Sequence, residues 1–276
     1  MKKLKDIVRT RSLKSTHDAY VPDEPIHFKM RSDDAYVPDE PIHFKMDSNK
    51  TKINEDIEKK PKHIYDWINH NENSAHGKND DDIANKLVKH TQSLNLSDKT
   101  KKHVHQYTKD SKSLNLNLVK QHKEGNPHKF TPTQNDRIKH LDAATNNHIG
   151  HKLHLYSGLG FNPKEKLGKS GHLHMPAYTS MTHSKSVAKA FAEDRSNSSK
   201  NKNETEHHIL HIETDKKDKG LHTSHISNYK GEHETILPRN TKLKVNPKPT
   251  TIVTKGSAWS PKVTHHIWHA KIEHQD

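Results

Sequence analysis

The sequence predicts an α+β fold, with helices in the first half of its folded region and strands in the second. Three observations carry this. Between positions 83 and 141 apolar residues recur at helical spacing, beginning with Ile83, Leu87 and Val88. From Leu153 the pattern switches to alternation, with Leu153 and Leu155 on one side of the chain and His154 and Tyr156 on the other. The two patterns follow one another instead of interleaving, which argues against a doubly wound parallel sheet.

A chain of 276 residues has room for one ordinary domain with extensions, or for two small ones. Only 28% of it is hydrophobic, and the mean hydropathy is -1.17. Burial must offset chain entropy, so the apolar residues have to be concentrated in one compact region. We expect a tail over 1–60 and a single domain over 61–276, its helical part about 80–148 and its sheet part about 150–274.

The absence of cysteine removes disulfides, thiolate nucleophiles and zinc-thiolate sites together. Met1–Ser15 reads MKKLKDIVRTRSLKS, without the apolar run of a secretory signal. No stretch approaches the about 18 apolar residues of a membrane span, so a soluble protein is expected. The net charge of +13, with 28 histidines counted neutral, fits non-specific contact with DNA or a solvated basic surface set by compositional bias; the second is favoured. Aromatics, at 5%, are too few for a base-stacking platform.

Within the tail, DAYVPDEPIHFKM occurs at Asp18–Met30 and again at Asp34–Met46, a period of 16 residues. Each copy holds two prolines, which oppose a helix interior. An extended segment follows, either a docking signal shown twice or a tandem duplication without selected role. Further on, Ile64, Trp67 and Ile68 seed a short amphipathic turn. Helices follow around Ile83–Val88, around Val104 and Tyr107, and around Leu114, Leu116 and Leu118 after a break near Asp110. Thr133 with Asp136 reads as a capping box after Pro132, so another helix begins there and carries Ile138 and Leu141 inward.

The first strand ends in a Ser157-Gly158 turn, and further strands are predicted at 207–213, 233–237, 241–245, 250–254 and 263–272. One helix, from about Ser184 to Glu193, interrupts them, with Val187, Ala190 and Phe191 as its buried stripe. Glu232 and Glu234 stand at i and i+2 before an apolar strand. On a strand that spacing places both carboxylates on one face, about 6.5 to 7 Å apart. Such a pair suits cleavage of a glycosyl bond, where a fixed carboxylate stabilises an oxocarbenium-like cation. Histidines 207, 208 and 211, and 265, 266 and 269, sit in strand-like surroundings without an HExxH pattern. No metal site is expected from them.

Three segments belong together: LHLYSGLGF (Leu153–Phe161), PAYTSMTHSKSVAKAFA (Pro176–Ala192) and GEHETILPRNTKLKV (Gly231–Val245). In order and context they resemble the NAD-dependent mono-ADP-ribosyltransferases of the arginine-serine-glutamate class, which includes bacterial toxins and bacteriophage enzymes. The likeness runs from about Val104 to the C-terminus, since His103–Val119 is similar to the family's Tyr-Thr…Asn…Leu helical segment. It implies two packed antiparallel sheets behind a helical part, with NAD as substrate in the cleft between them.

By the same resemblance Glu234 holds the ribose 2′-hydroxyl and stabilises the cation, while Glu232 orients or deprotonates the acceptor, a protein side chain with arginine indicated. Ser180 matches the family's leading serine in Tyr178-Thr179-Ser180-Met181-Thr182. Tyr178 and Thr182 flank it, and Tyr156, Ser157 and Gly158 complete the expected NAD contacts. Ser157 stands where the family carries an arginine, and a serine supplies no charge to the NAD phosphates. His154 or Lys152 substitutes, NAD binds weakly, or the domain is inactive. Gly158 and Gly160 are expected to admit a dinucleotide close to the backbone.

These features point to an NAD-dependent protein mono-ADP-ribosyltransferase. The rival readings are an interaction or structural protein on the same scaffold, and an NAD glycohydrolase. A virion-packaged phage protein acting in host cytoplasm is the expected setting, with a toxin secreted by a non-Sec route as the alternative.

Overall fold

The computed structural model describes residues 61–125, 130–168, 170–196, 204–255 and 262–274, so the duplicated segment and the expected tail lie outside the described residues. Five helices come first: α1 (Ile64–Asn69), α2 (Asp80–Ser93), α3 (Asp98–Lys109), α4 (Lys112–Glu124) and α5 (Pro132–Thr145). The strands are β1 (His154–Leu159), β2 (His172–Met175), β3 (Thr179–Thr182), β4 (Glu204–Glu213), β5 (Leu221–His222), β6 (Glu234–Leu237), β7 (Thr241–Val245), β8 (Thr250–Thr254) and β9 (Lys262–Ile272). One more helix, α6 (Lys185–Ser196), separates β3 from β4. No described helix is long and apolar enough to cross a membrane.

Local chemistry sets the helix ends. The side chain of Asn79 accepts the Asp82 amide ahead of α2, and Ser97 accepts that of Thr100 ahead of α3, each satisfying one of the amides that a helix start leaves unpaired. Gly125 closes α4 at φ 64°, in the left-handed region that glycine enters without a Cβ penalty. The capping box of α5 is formed by Thr131 and Gln134, with Pro132 as the first helical residue. That corrects the expected Thr133–Asp136 box by two positions: proline is best placed at the first helical position, so the cap must precede it. Asp136 is thereby left on the helix surface.

The strands pair in the order β2-β7-β9-β4-β1-β3-β6-β5, with β8 on β9. Pairing is antiparallel except between β4 and β9, which run parallel over ten residues from Glu204↔Lys262 to Glu213↔Lys271. This departs from purely antiparallel sheets. Between β1 and β3 the registration is the single pair Tyr156↔Thr182, and there the path turns. One apolar core takes Leu173, Leu243, Trp268, Leu210 and Leu155 from one half of the path and Met181 and Leu237 from the other. The two halves thus pack face to face.

A second core fills the space between the helices and β5–β6, with Val104, Tyr107, Leu114, Leu141, Tyr178 and Ile236. The third lies under α1 and α6, with Trp67, Tyr156, Ala188, Ala192, Ile209 and Ile267. Strand β1 does not turn at Ser157-Gly158; it runs on through Leu159. Its Gly158 faces α6, where an added Cβ would lie 2.3 Å from the Ala192 amide nitrogen and 2.5 Å from the Ala188 carbonyl oxygen. The buried stripe of α6 is therefore Ala188 and Ala192, with Val187, Ala190 and Phe191 only half-buried. Small residues on both surfaces let the helix backbone rest on the strand.

Candidate active site

Strands β3 and β6 pair antiparallel as Thr182↔Glu234, Met181↔Thr235 and Ser180↔Ile236. Directly paired residues share a face, so Ser180, Thr182 and Glu234 lie on the same side and Ser180 is the diagonal neighbour of Glu234. Glu234 is 7% exposed. Its Oε2 accepts a hydrogen bond from Thr223 Oγ1 at 3.1 Å, and Ser180 also hydrogen-bonds the carboxyl. Burial raises this carboxyl above its ordinary value of 4.5, while the two hydroxyls pull the other way. Ser180 itself is exposed, so the hydroxyl that reaches the carboxylate also meets solvent.

Strand spacing does not relate Glu232 to Glu234. Glu232 ends a 3-10 turn, Lys230–Glu232, and His233 follows at φ 50° before the strand begins at Glu234. The expectation that both carboxylates face one way along an extended strand is corrected here. A left-handed residue between them breaks the alternation. The segment bearing Glu232 is a chain of tight turns. The amides of Ile226 and Ser227 both donate to the Thr223 carbonyl at 2.7 Å. The segment is tied to α3, whose His105 Nδ1 meets the Ile226 carbonyl at 2.9 Å and whose Thr108 Oγ1 accepts the Asn228 amide at 3.2 Å.

The remaining candidates are placed differently. In β1, Ser157 is buried and its hydroxyl donates to the Ser180 carbonyl at 3.1 Å, which ties β1 to the strand beside Glu234. Tyr156 packs on Trp67 edge to face, and its hydroxyl donates to Glu72. Lys185, 5% exposed, completes that cluster through Glu72 and the carbonyls of Trp67 and His70, at 2.8 and 2.6 Å. Tyr178 is sunk in the helical core, where its hydroxyl donates to Asp142 Oδ1 at 2.6 Å. Thr182 Oγ1 accepts the Ser184 amide at 3.0 Å at the entry to α6. Both tyrosines have their hydroxyls committed to the scaffold. Gly158 lies against α6, which leaves no room for a side chain at this position.

Neither proposed substitute for the arginine stands at position 157. Lys152 pairs with Glu213 at 2.9 Å, and His154 Nδ1 meets His211 Nε2 at 2.9 Å across β1–β4. The histidines flanking the carboxylate strand are instead His183, His222 and His233, with the His183 ring centroid 5.7 Å from that of His222 and 4.9 Å from that of His233. Burial pushes His183 down to about 4 and His222 well below the usual histidine range, so both are neutral near pH 7. Thr223 and His222 lie outside the three segments that carry the resemblance, while His183 and His233 lie inside two of them without matching a family position. For Thr223 and His222 the signal is their position just before the loop that ends at Glu234.

Five helices ahead of a folded strand path, with a serine strand paired to a glutamate strand, define the ADP-ribosyltransferase fold. A family model described as ADP-ribosyltransferase exoenzyme matches residues 78–258, and the chain belongs to that family. Among solved structures it is similar to the Clostridium limosum C3 exoenzyme, at 16% identity over 71% of this chain and 95% of that one, with a TM-score of 0.50. It is also similar to Plx2a, an ADP-ribosyltransferase toxin from Paenibacillus larvae, at 17% identity over 69% of this chain and 96% of that one, with a TM-score of 0.48. No curated protein matches the chain.

Proposed function

We propose that this protein is an NAD-dependent mono-ADP-ribosyltransferase acting on a protein side chain, with Glu234 as its catalytic carboxylate. The observation that carries the reading is the buried carboxylate of Glu234, held by Thr223 and by Ser180 on the adjoining strand. Loss of nicotinamide leaves positive charge on the ribose, and a fixed carboxylate in a dry site stabilises that charge more than water does. The hydroxyls restrain the carboxylate and favour its ionised form against the burial that opposes it.

Glu232, on the turn-rich segment anchored to α3, is assigned to the acceptor, which we take to be arginine. Its guanidinium is a planar cation that a carboxylate orients through paired hydrogen bonds. NAD is the donor substrate, and Ser157 in place of a cation implies that its phosphates are held loosely. The charge of +13 supports a setting beside DNA, in a phage particle before action in host cytoplasm; delivery as a secreted toxin is the alternative.

Ser157 also favours a second reading, in which the fold serves as an interaction scaffold with little or no turnover. Incubating the full chain with labelled NAD and a bacterial lysate separates the two. Labelled protein supports the transferase. Nicotinamide release without labelled protein indicates a glycohydrolase, and neither release nor NAD binding leaves the scaffold.

A further inference from the structure

The helical layer holds a second cluster of chemistry that shares no residue with the surroundings of Glu234. His103 on α3 places Nε2 3.0 Å from Asp136 Oδ2, and His140, one turn along α5 from Asp136, places Nε2 3.7 Å from Oδ1. One ligand atom from each residue lies within 4.8 Å of the others. Around a tetrahedral Zn²⁺ bound at about 2.0 to 2.2 Å, ligand atoms sit about 3.3 to 3.5 Å from one another. The two imidazoles now meet different oxygens of Asp136, so an ion needs a shift of under about 1.5 Å to draw one atom from each residue to that spacing.

We propose that His103, Asp136 and His140 form a divalent-metal site, with Zn²⁺ as its ion and a fourth position open to water. Two imidazoles and one carboxylate are the donor set that borderline cations of this kind take. The outer contact of His140 matches a ligand role, and that of His103 is missing. Thr100 Oγ1 lies 3.0 Å from His140 Nδ1, and by accepting a hydrogen bond from that nitrogen it would leave the lone pair on Nε2, the nitrogen nearer Asp136. Nδ1 of His103 is buried without a partner. With Nε2 on an ion the ring proton sits on Nδ1, so His103 gives up its bond to Asp136 and leaves that buried N–H without an acceptor.

Two features oppose the ion: the His103 and His140 rings stack with centroids 4.7 Å apart at 12°, so one must rotate for both lone pairs to converge, and Asp136 already holds a cation. Lys99 Nζ pairs with Asp136 Oδ1 at 3.1 Å, on a side chain that is 61% exposed. It has only to swing into solvent for the oxygen to be free. A metal here would lock α3 to α5, the helix whose Asp142 receives both Tyr178 and Arg239. The site would therefore brace the layer on which strand β3 is hung.

With 28 histidines in the chain, bulk metal uptake is uninformative, so the test compares variants. Zn²⁺ is titrated by calorimetry into the full chain at pH 7.5, and a saturable event of one ion per chain is expected. Asp136→Asn and His140→Gln should each weaken it at least about tenfold, and Thr100→Val by about tenfold, the usual effect of losing an outer hydrogen bond to a ligand. Lys99→Ala should tighten it, since a competing cation is removed. Zn²⁺ should also raise the melting temperature of the wild type by binding only the native state. A one-ion event untouched by Asp136→Asn or His140→Gln, or no such event at all, overturns the proposal. If those variants fail to fold, Lys99→Ala decides: unchanged affinity there overturns it equally. Activity toward NAD plays no part in the readout, so failure here is distinct from failure of the transferase reading.

Discussion

Thr223 holds Glu234 from two directions: its hydroxyl donates to the carboxylate Oε2 at 3.1 Å, and its amide donates to the Glu234 carbonyl at 2.8 Å. The first contact positions the side chain and the second fixes the backbone that bears it. Thr223→Val removes only the hydroxyl and keeps the branched shape. Because that hydroxyl lowers the carboxyl pKa, its loss raises it further. A group that must be ionised to act then fails at a higher pH. We expect the acid limb of the nicotinamide-release profile to move upward from its wild-type position, with a rate loss of about tenfold, the size of one charge-assisted hydrogen bond. A full pH–rate profile of both proteins checks this.

The parallel pairing of β4 with β9 sets histidines side by side, His207↔His265, His208↔His266 and His211↔His269. His211 Nδ1 and His269 Nδ1 are 2.9 Å apart, and His269 Nε2 continues to Thr250 Oγ1 at 2.9 Å. Burial, then neighbouring histidines, pushes His208 down to about 4 and His211 and His265 down to about 3. These rings are neutral when folded and titrate near ~6.5 when unfolded. Between those limits the unfolded chain binds more protons. Stability is thus full above about pH 6.5 and falls as pH drops toward 4 and 3. Urea melts from pH 7.5 to 4.5 should show midpoints declining through this window, and His211→Leu should flatten the decline.

Gly158 predicts a steric cost. Gly158→Ala would press a methyl group against the α6 backbone at Ala188 and Ala192, where nothing flexible can yield. We expect a loss of about 1 to 3 kcal/mol, the usual range for overpacking, read as a lower denaturation midpoint with an unchanged slope.

Much of this architecture is legible in the residues, for local reasons. The limits of β7 follow from the alternation of Thr241, Leu243 and Val245 with two lysines, and α5 starts where Pro132 requires, with the cap displaced by two positions because proline takes the first helical place. What sequence could not show depends on tertiary geometry. The left-handed backbone of His233 takes Glu232 out of the strand, and spacing at i and i+2 carries no sign of that turn. The contact of Gly158 with α6 joins residues some thirty positions apart, which no local pattern encodes. HHILH and HHIWH are similar strings, but only parallel registration makes them partners. Asp136 read as a cap because its helical companions, His103 and Lys99, belong to another element.

The most direct test of the account is nicotinamide release by Glu234→Gln, measured beside NAD binding by the same protein. Glutamine keeps the size of the side chain and its hydrogen-bonding capacity but removes the charge that faces the developing cation. We expect release reduced by at least about a hundredfold, on the scale of losing a preorganised electrostatic contact, with NAD affinity changed by no more than a few-fold. Release at the wild-type rate from Glu234→Gln would contradict it.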